Sequence, residues 1–243
     1  MDMNTNTNMN TIMDKQLNKN LCLLQFFGST FPVGGFQHSY GLETYISSGE
    51  VKNAQQLKQY ILETLRQVYV TFDGRAFCRA WQYGRDGAIE PLRKLDAEIT
   101  AMRLSGESRR ASLKTGKALL RMAVLMTGEQ KLSEYRQVVQ GMSNIGNYCV
   151  VAGFLSGRLD AQPEAALQAF YFSDMNNLLQ VGIKTIPLGQ TEGQQLLYEL
   201  YPKLNAAVEK TIQNQNEELE NFVPYMNLMS MQHETLYSRL YMS

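Results

Sequence analysis

Histidine is nearly missing from this 243-residue chain, which has only His38 and His233. So few side chains that change charge near neutral pH leave little material for general acid–base catalysis. Cysteine is scarce as well. Cys22, Cys78 and Cys149 are odd in number, widely spaced and without a C-x-x-C pair. They spell neither a disulfide framework nor a paired-thiolate metal site, and are expected to be reduced, buried thiols of a cytosolic protein. Net charge is absent too, 23 basic residues balancing 23 acidic ones. That speaks against a nucleic-acid partner, which usually leaves a basic excess. No run of about 18 apolar residues occurs, so no helix is expected to span a membrane.

Alternating strand patterns and hairpin dipeptides are also nearly absent, and helical spacing fills the chain instead. "NAQQLKQYILETLRQVYVTFD" puts Leu57, Ile61, Leu65, Val68 and Phe72 on one face, with Asn53 suited to the N-cap and Gln56 three positions on. "PLRKLDAEITAMRL" has Pro91 in its first turn, where a helix tolerates it. "SRRASLKTGKALLRMAVLM" and "SEYRQVVQGMSNIGNYCVVAGFLSG" each predict a long helix. In the second, Gly141, Gly146, Gly153 and Gly157 would admit a close neighbour. Pro163 opens another helix, with Leu167, Phe170, Tyr171, Leu178 and Val181 on one side. A last one repeats Leu196, Leu200, Leu204, Ala207, Val208 and Ile212, and Pro202 is expected to kink or restart it.

The expected architecture is all-α, a single-domain helical bundle. Residues 1–20 are Asn-, Thr- and Met-rich without the apolar run of a signal peptide, and are expected to be a disordered leader. Residues 21–228 form the helical domain and residues 229–243 a tail.

Few constellations carry chemistry. Ser39, His38 and Glu43 contain the residue types of a catalytic triad, but triads are assembled from distant segments, and sequence neighbours rarely meet their geometry. No HxxxH or paired-cysteine spacing suggests a metal site. Met226, Met229 and His233 do share helical spacing. That stripe is either a soft-metal face or a Met-rich contact surface, the second being the ordinary case. "LKTGKALL" fails as a phosphate loop, because Ala111 and Ala118 occupy the places of the required Gly and Ser/Thr. Arg109, Arg110, Lys114, Lys117 and Arg121 form a basic stretch, either a solvated face or a binding one. No catalytic residue, metal ligand or cofactor is therefore assigned, and binding is expected in place of catalysis.

The densest stretch is "FPVGGFQHSYGLET". Gly34 and Gly35 permit backbone angles other residues resist. Phe31, Phe36 and Tyr40 would seat the turn beside Pro32 and Gly41, with His38, Ser39 and Glu43 on a polar surface or passage. It is expected to shape a contact surface, with a transient ligand role for His38 as the alternative.

Three stretches together resemble one family. "LLQFFGSTFPVGGFQHSYGLE", "KTIPLGQTEGQ" and "MSMQHETLYSRLYMS" are similar, in order and spacing, to the signatures of the UreF family of urease accessory proteins. "ESRRASLKTGKALLRM" fits that family's arginine-rich helix start, and the likeness covers about residues 21–243. The resemblance implies an all-helical, homodimeric, cytoplasmic and non-enzymatic chaperone for nickel insertion. Its implied partners are UreD/UreH, the GTPase UreG and apo-urease. It also implies partner-binding roles for Lys184, Pro187, Gly189 and Gln190, and for His233, Glu234, Tyr237, Arg239, Leu240 and Tyr241 in a tail that orders on meeting UreD/UreH. The sequence departs from the family's His-x-Pro-Val-Val-x-Gly run, where Asn147 and Cys149 take the His and Pro places. Losing the proline should make that helix more regular. Lys184 stands where other members have arginine, which keeps the charge but loses the bidentate fork.

Overall fold

A computed structural model of the chain describes residues 18–34, 39 and 41–234. Residues 18–26 are helical (α1). There follow α2 (Leu42–Ser47), α3 (Ala54–Thr64), a π-helical stretch (Leu65–Asp73), α4 (Gly74–Asp86), α5 (Ile89–Met102) and α6 (Gly106–Thr127). The order continues with α7 (Gln130–Gln140), α8 (Tyr148–Arg158), α9 (Pro163–Thr185), α10 (Gln190–Gln213) and α11 (Pro224–His233). No strand occurs among the described residues, and the fold is the all-α one expected from the sequence.

Local chemistry sets many of these boundaries. Asn53 caps α3 by accepting from the Gln56 amide at 3.0 Å, and the Gln56 side chain reaches back to the Lys52 amide at 2.9 Å. Two orphan donors are thereby satisfied at one helix start. Ser105 caps α6 through the Ser108 amide and Glu129 caps α7 through the Leu132 amide. Pro163 occupies the first turn of α9.

The core gathers around α8, whose residues Tyr148 through Gly157 are all buried. It can be surrounded because it carries glycine where another helix crosses. A Cβ on Gly153 would strike the Phe77 carbonyl oxygen on α4, and one on Gly157 would strike that of Trp81. Phe77 and Phe170 stack at 5.1 Å between centroids, and Tyr135 meets Phe154 edge to face at 5.3 Å. Such rings bury large apolar areas and add directional attraction. Cys78 and Cys149 are buried free thiols, as expected, whereas Cys22 is only half-buried. Burial pushes the Cys78 thiol up to about 12.

Several expectations are corrected. The stretch predicted as one helix from Ser133 to Gly157 is two, because Gly146 adopts φ +104° and its amide turns to Asp96. Asp96 is fully buried and accepts from Tyr135, from the Gly146 and Asn147 amides and from Asn147 Nδ2. Burial pushes its carboxyl above the ordinary range while these donors pull the other way. Asn147 thus anchors the α7–α8 loop, donating also to Thr100 Oγ1 at 2.6 Å, and α8 begins directly after it with Cys149 inside its first turn.

The apolar face predicted for residues 57–72 shifts partway along. The π-helical turn takes one more residue than an α turn, so Tyr69 and Val70 are buried where Val68 is only half so. Helix α10 runs through Pro202 without a restart. The carbonyl that loses its donor belongs to Tyr198, which is exposed to water. Residues 18–20, given to the leader by composition, are helical, and Lys19 pairs with Asp160 at 2.6 Å.

Candidate functional site: a polar junction between the two ends of the chain

Helix α11 packs across α2 and the start of α6 and brings the first and third signature stretches together. At its end His233 is fully buried. His233 Nε2 lies 2.9 Å from Glu43 Oε2 on α2, and Nδ1 lies 3.1 Å from Glu107 Oε2 on α6. Both carboxyls are nearly buried too. Hydrogen bonds to both require a proton on each ring nitrogen, or one on a carboxyl. Burial without such bonds would be costly for all three groups, so the triplet works as a clasp.

Hydroxyls extend the clasp. Thr44 Oγ1 donates to the Met229 carbonyl at 2.9 Å, and Ser230 Oγ lies 2.9 Å from Ser108 Oγ and 3.0 Å from Ser105 Oγ. Gly41 at φ +87° begins α2 with no Cβ to press on the Ser230 backbone. On the outer edge Arg110 pairs with Glu234 at 2.7 Å.

The sequence-selected residues divide accordingly. From the first stretch, Gly41 and Glu43 enter the junction. Ser39 is fully buried, and Phe31 packs edge-on against Phe26 at 5.2 Å. Pro32 and Gly34 are exposed, Gly34 at φ +77°. Gly35, Phe36, His38 and Tyr40 lie outside the described residues, as do Tyr237, Arg239, Leu240 and Tyr241. From the third stretch, His233 is inside the protein and Glu234 at its surface. The tail boundary at residue 229 falls inside α11, whose last residues belong to the fold.

Lys184, Pro187, Gly189 and Gln190 are all exposed, at the corner between α9 and α10. Ile186 and Leu188, alternating with them, are buried and hold that corner down. These four residues add no hydrogen bond to the junction among the described residues. The soft-metal stripe is overturned, because both His233 nitrogens are taken by carboxylates and Met229 is buried. Among the described residues no group of three or more His, Cys, Asp or Glu is placed to hold a metal ion. In the basic stretch, Arg109 donates to the Arg103 carbonyl at 2.7 Å, so it secures its own helix start.

Sequence reasoning missed Thr44, Ser105, Glu107, Ser108 and Ser230. A cap serine and a first-turn glutamate are ordinary helix-start residues, and nothing local marks them as partners of a distant histidine.

Fold and junction together define a class: an all-helical protein whose two signature-bearing stretches are clasped to one another. The UreF family profile matches residues 51–201. Urease accessory protein UreF of Actinobacillus pleuropneumoniae serotype 5b (strain L20) is 32% identical over 221 residues, covering 91% of this chain and 97% of the relative. The protein of that name from Haemophilus influenzae (strain PittEE) is 32% identical over 235 residues, covering 95% and 100%. That from Bacillus sp. (strain TB-90) is 30% identical over 227 residues, covering 93% and 100%. This chain belongs to the UreF family of urease accessory proteins. It is an accessory protein in urease maturation, not an enzyme.

Proposed function

We propose that the chain is a homodimeric scaffold for nickel insertion in the cytoplasm, which binds UreD/UreH and through that complex recruits the GTPase UreG to apo-urease. The observation that carries this reading is the clasp. His233, Glu43 and Glu107 fix α11 against α2 and α6, so Glu234, the residue that precedes segment 235–243, is held in a defined place. Tyr237, Arg239, Leu240 and Tyr241 in that segment are of the types enriched among binding hot spots. The exposed corner Lys184–Gln190 supplies a second contact surface, suited to the GTPase. On this reading nickel is cargo passed between partners.

The deletion that tests the scaffold begins after Glu234, because removing Met229–Ser243 would also leave Glu43 and Glu107 buried without their histidine. A chain ending at Glu234 should keep its urea midpoint and lose co-purification with UreD/UreH. Recovery of the complex at full yield would overturn the reading.

A further inference from the structure

Between α3 and the start of α11 lies a cleft of about 410 Å³. Its floor is aromatic. The Tyr45 ring stands edge to face with Tyr60 at 5.0 Å and with Tyr225 at 5.5 Å between centroids. Its rim carries Glu50 and Glu63, and among the described residues no lysine or arginine lines it. Glu63 is already paired with Arg66 at 2.8 Å. Glu50 accepts from the Tyr225 hydroxyl at 2.8 Å and from Ser48 Oγ at 2.9 Å, with no cation paired to it among the described residues. Burial pushes the Tyr45 phenol up to about 12, and the hydrogen bond to Glu50 raises that of Tyr225, so both rings stay neutral.

We propose that this cleft takes an arginine or lysine side chain presented by a partner protein. Tyrosine rings attract a cation through their quadrupole, and a carboxylate already oriented by two hydroxyl donors supplies the counter-charge. A guanidinium satisfies both at once, lying on a ring while donating to Glu50, which favours arginine over lysine. The volume falls within the range of about 300–1,000 Å³ usual for ligand sites. That is room for a side chain with its flanking residues, more than a bare ion needs. Met226 of α11 lines the cleft, which therefore adjoins the helix that the clasp fixes. The inference goes beyond the urease reading and does not depend on which protein supplies the side chain.

The test is calorimetric titration of the full chain with acetyl-hexa-arginine amide, against the hexa-glutamine peptide and spermidine. Saturable binding of the arginine peptide is expected, weakened about five- to tenfold by Glu50→Gln and by Tyr225→Leu. Glu209→Gln, an exposed carboxylate on α10, should change nothing. Glu50→Gln keeps an acceptor for Tyr225, and an unchanged urea midpoint verifies its fold. Absence of saturable binding, equal affinity in the cleft variants, or equal binding of hexa-glutamine overturns the proposal. Spermidine matching the peptide in affinity and in sensitivity to the variants overturns it too, by making the cleft a small-polyamine site.

Discussion

His233 Nε2 sits 2.9 Å from Glu43 Oε2 across 190 residues of sequence, and this contact joins the two ends of the chain. A second carboxylate, Glu107, holds the other ring nitrogen at 3.1 Å. The one described histidine is therefore a strut between helices α2, α6 and α11.

Replacing His233 by alanine should destabilise the protein by about 3 kcal/mol, since it removes the ring that hydrogen-bonds two nearly buried carboxylates at once. Urea unfolding followed by circular dichroism reads this directly. Loss of less than about 1 kcal/mol would show that the clasp contributes little.

Gly153→Ala should cost about 2–3 kcal/mol, because the new methyl meets the Phe77 carbonyl and the Ala80 Cβ on a helix that cannot retreat from a packed core. Gly128→Ala is a useful contrast. Its φ is +62° with nothing within 4 Å of a built Cβ, so backbone strain alone acts there, at about 1 kcal/mol. A thermal shift for Gly153→Ala no larger than for Gly128→Ala would contradict the close-approach account.

Asp174 gives a pH dependence. Burial pushes its carboxyl from 3.8 up to about 7, against a lowering hydrogen bond from Tyr69. Between these values the folded chain holds a proton that the unfolded chain has released. The contribution of this group is therefore greatest below about pH 4 and is lost as pH rises towards 7. Asp174→Asn removes that loss. The stability difference between variant and parent should grow from pH 5 to pH 8, measured by urea midpoints. A difference constant across that range would mean the carboxyl titrates normally.

Lys184→Ala should reduce UreG recovery in a pull-down from the assembled complex about fivefold while the melting temperature stays put, since the side chain is exposed at the α9–α10 corner. Lys184→Arg, which keeps the charge and adds a bidentate fork, should recover at least the parental yield. Recruitment unchanged by Lys184→Ala would remove this corner from the GTPase interface.

Most of the fold was legible in the sequence. Asn53 with Gln56, Pro163, and the buried stripe through Leu196, Leu200, Leu204 and Val208 lie where spacing and capping placed them. The break before α8 has a cause outside its own stretch. A glycine inside an apolar helical stretch reads as helix until something outside the stretch pulls on it, and Gly146 turns because its amide reaches Asp96 fifty positions earlier. The π-helical turn likewise shifts the face after Leu65 without any residue that announces it.

Periodicity, caps and the near absence of strand patterns by themselves determined an all-helical chain and the starts of several helices, because those interactions act within a turn or two. The tertiary structure alone decided which groups those helices bring face to face. His233 meets partners 126 and 190 residues away, and a contact between such distant positions depends on the path of the whole chain, which no local pattern records.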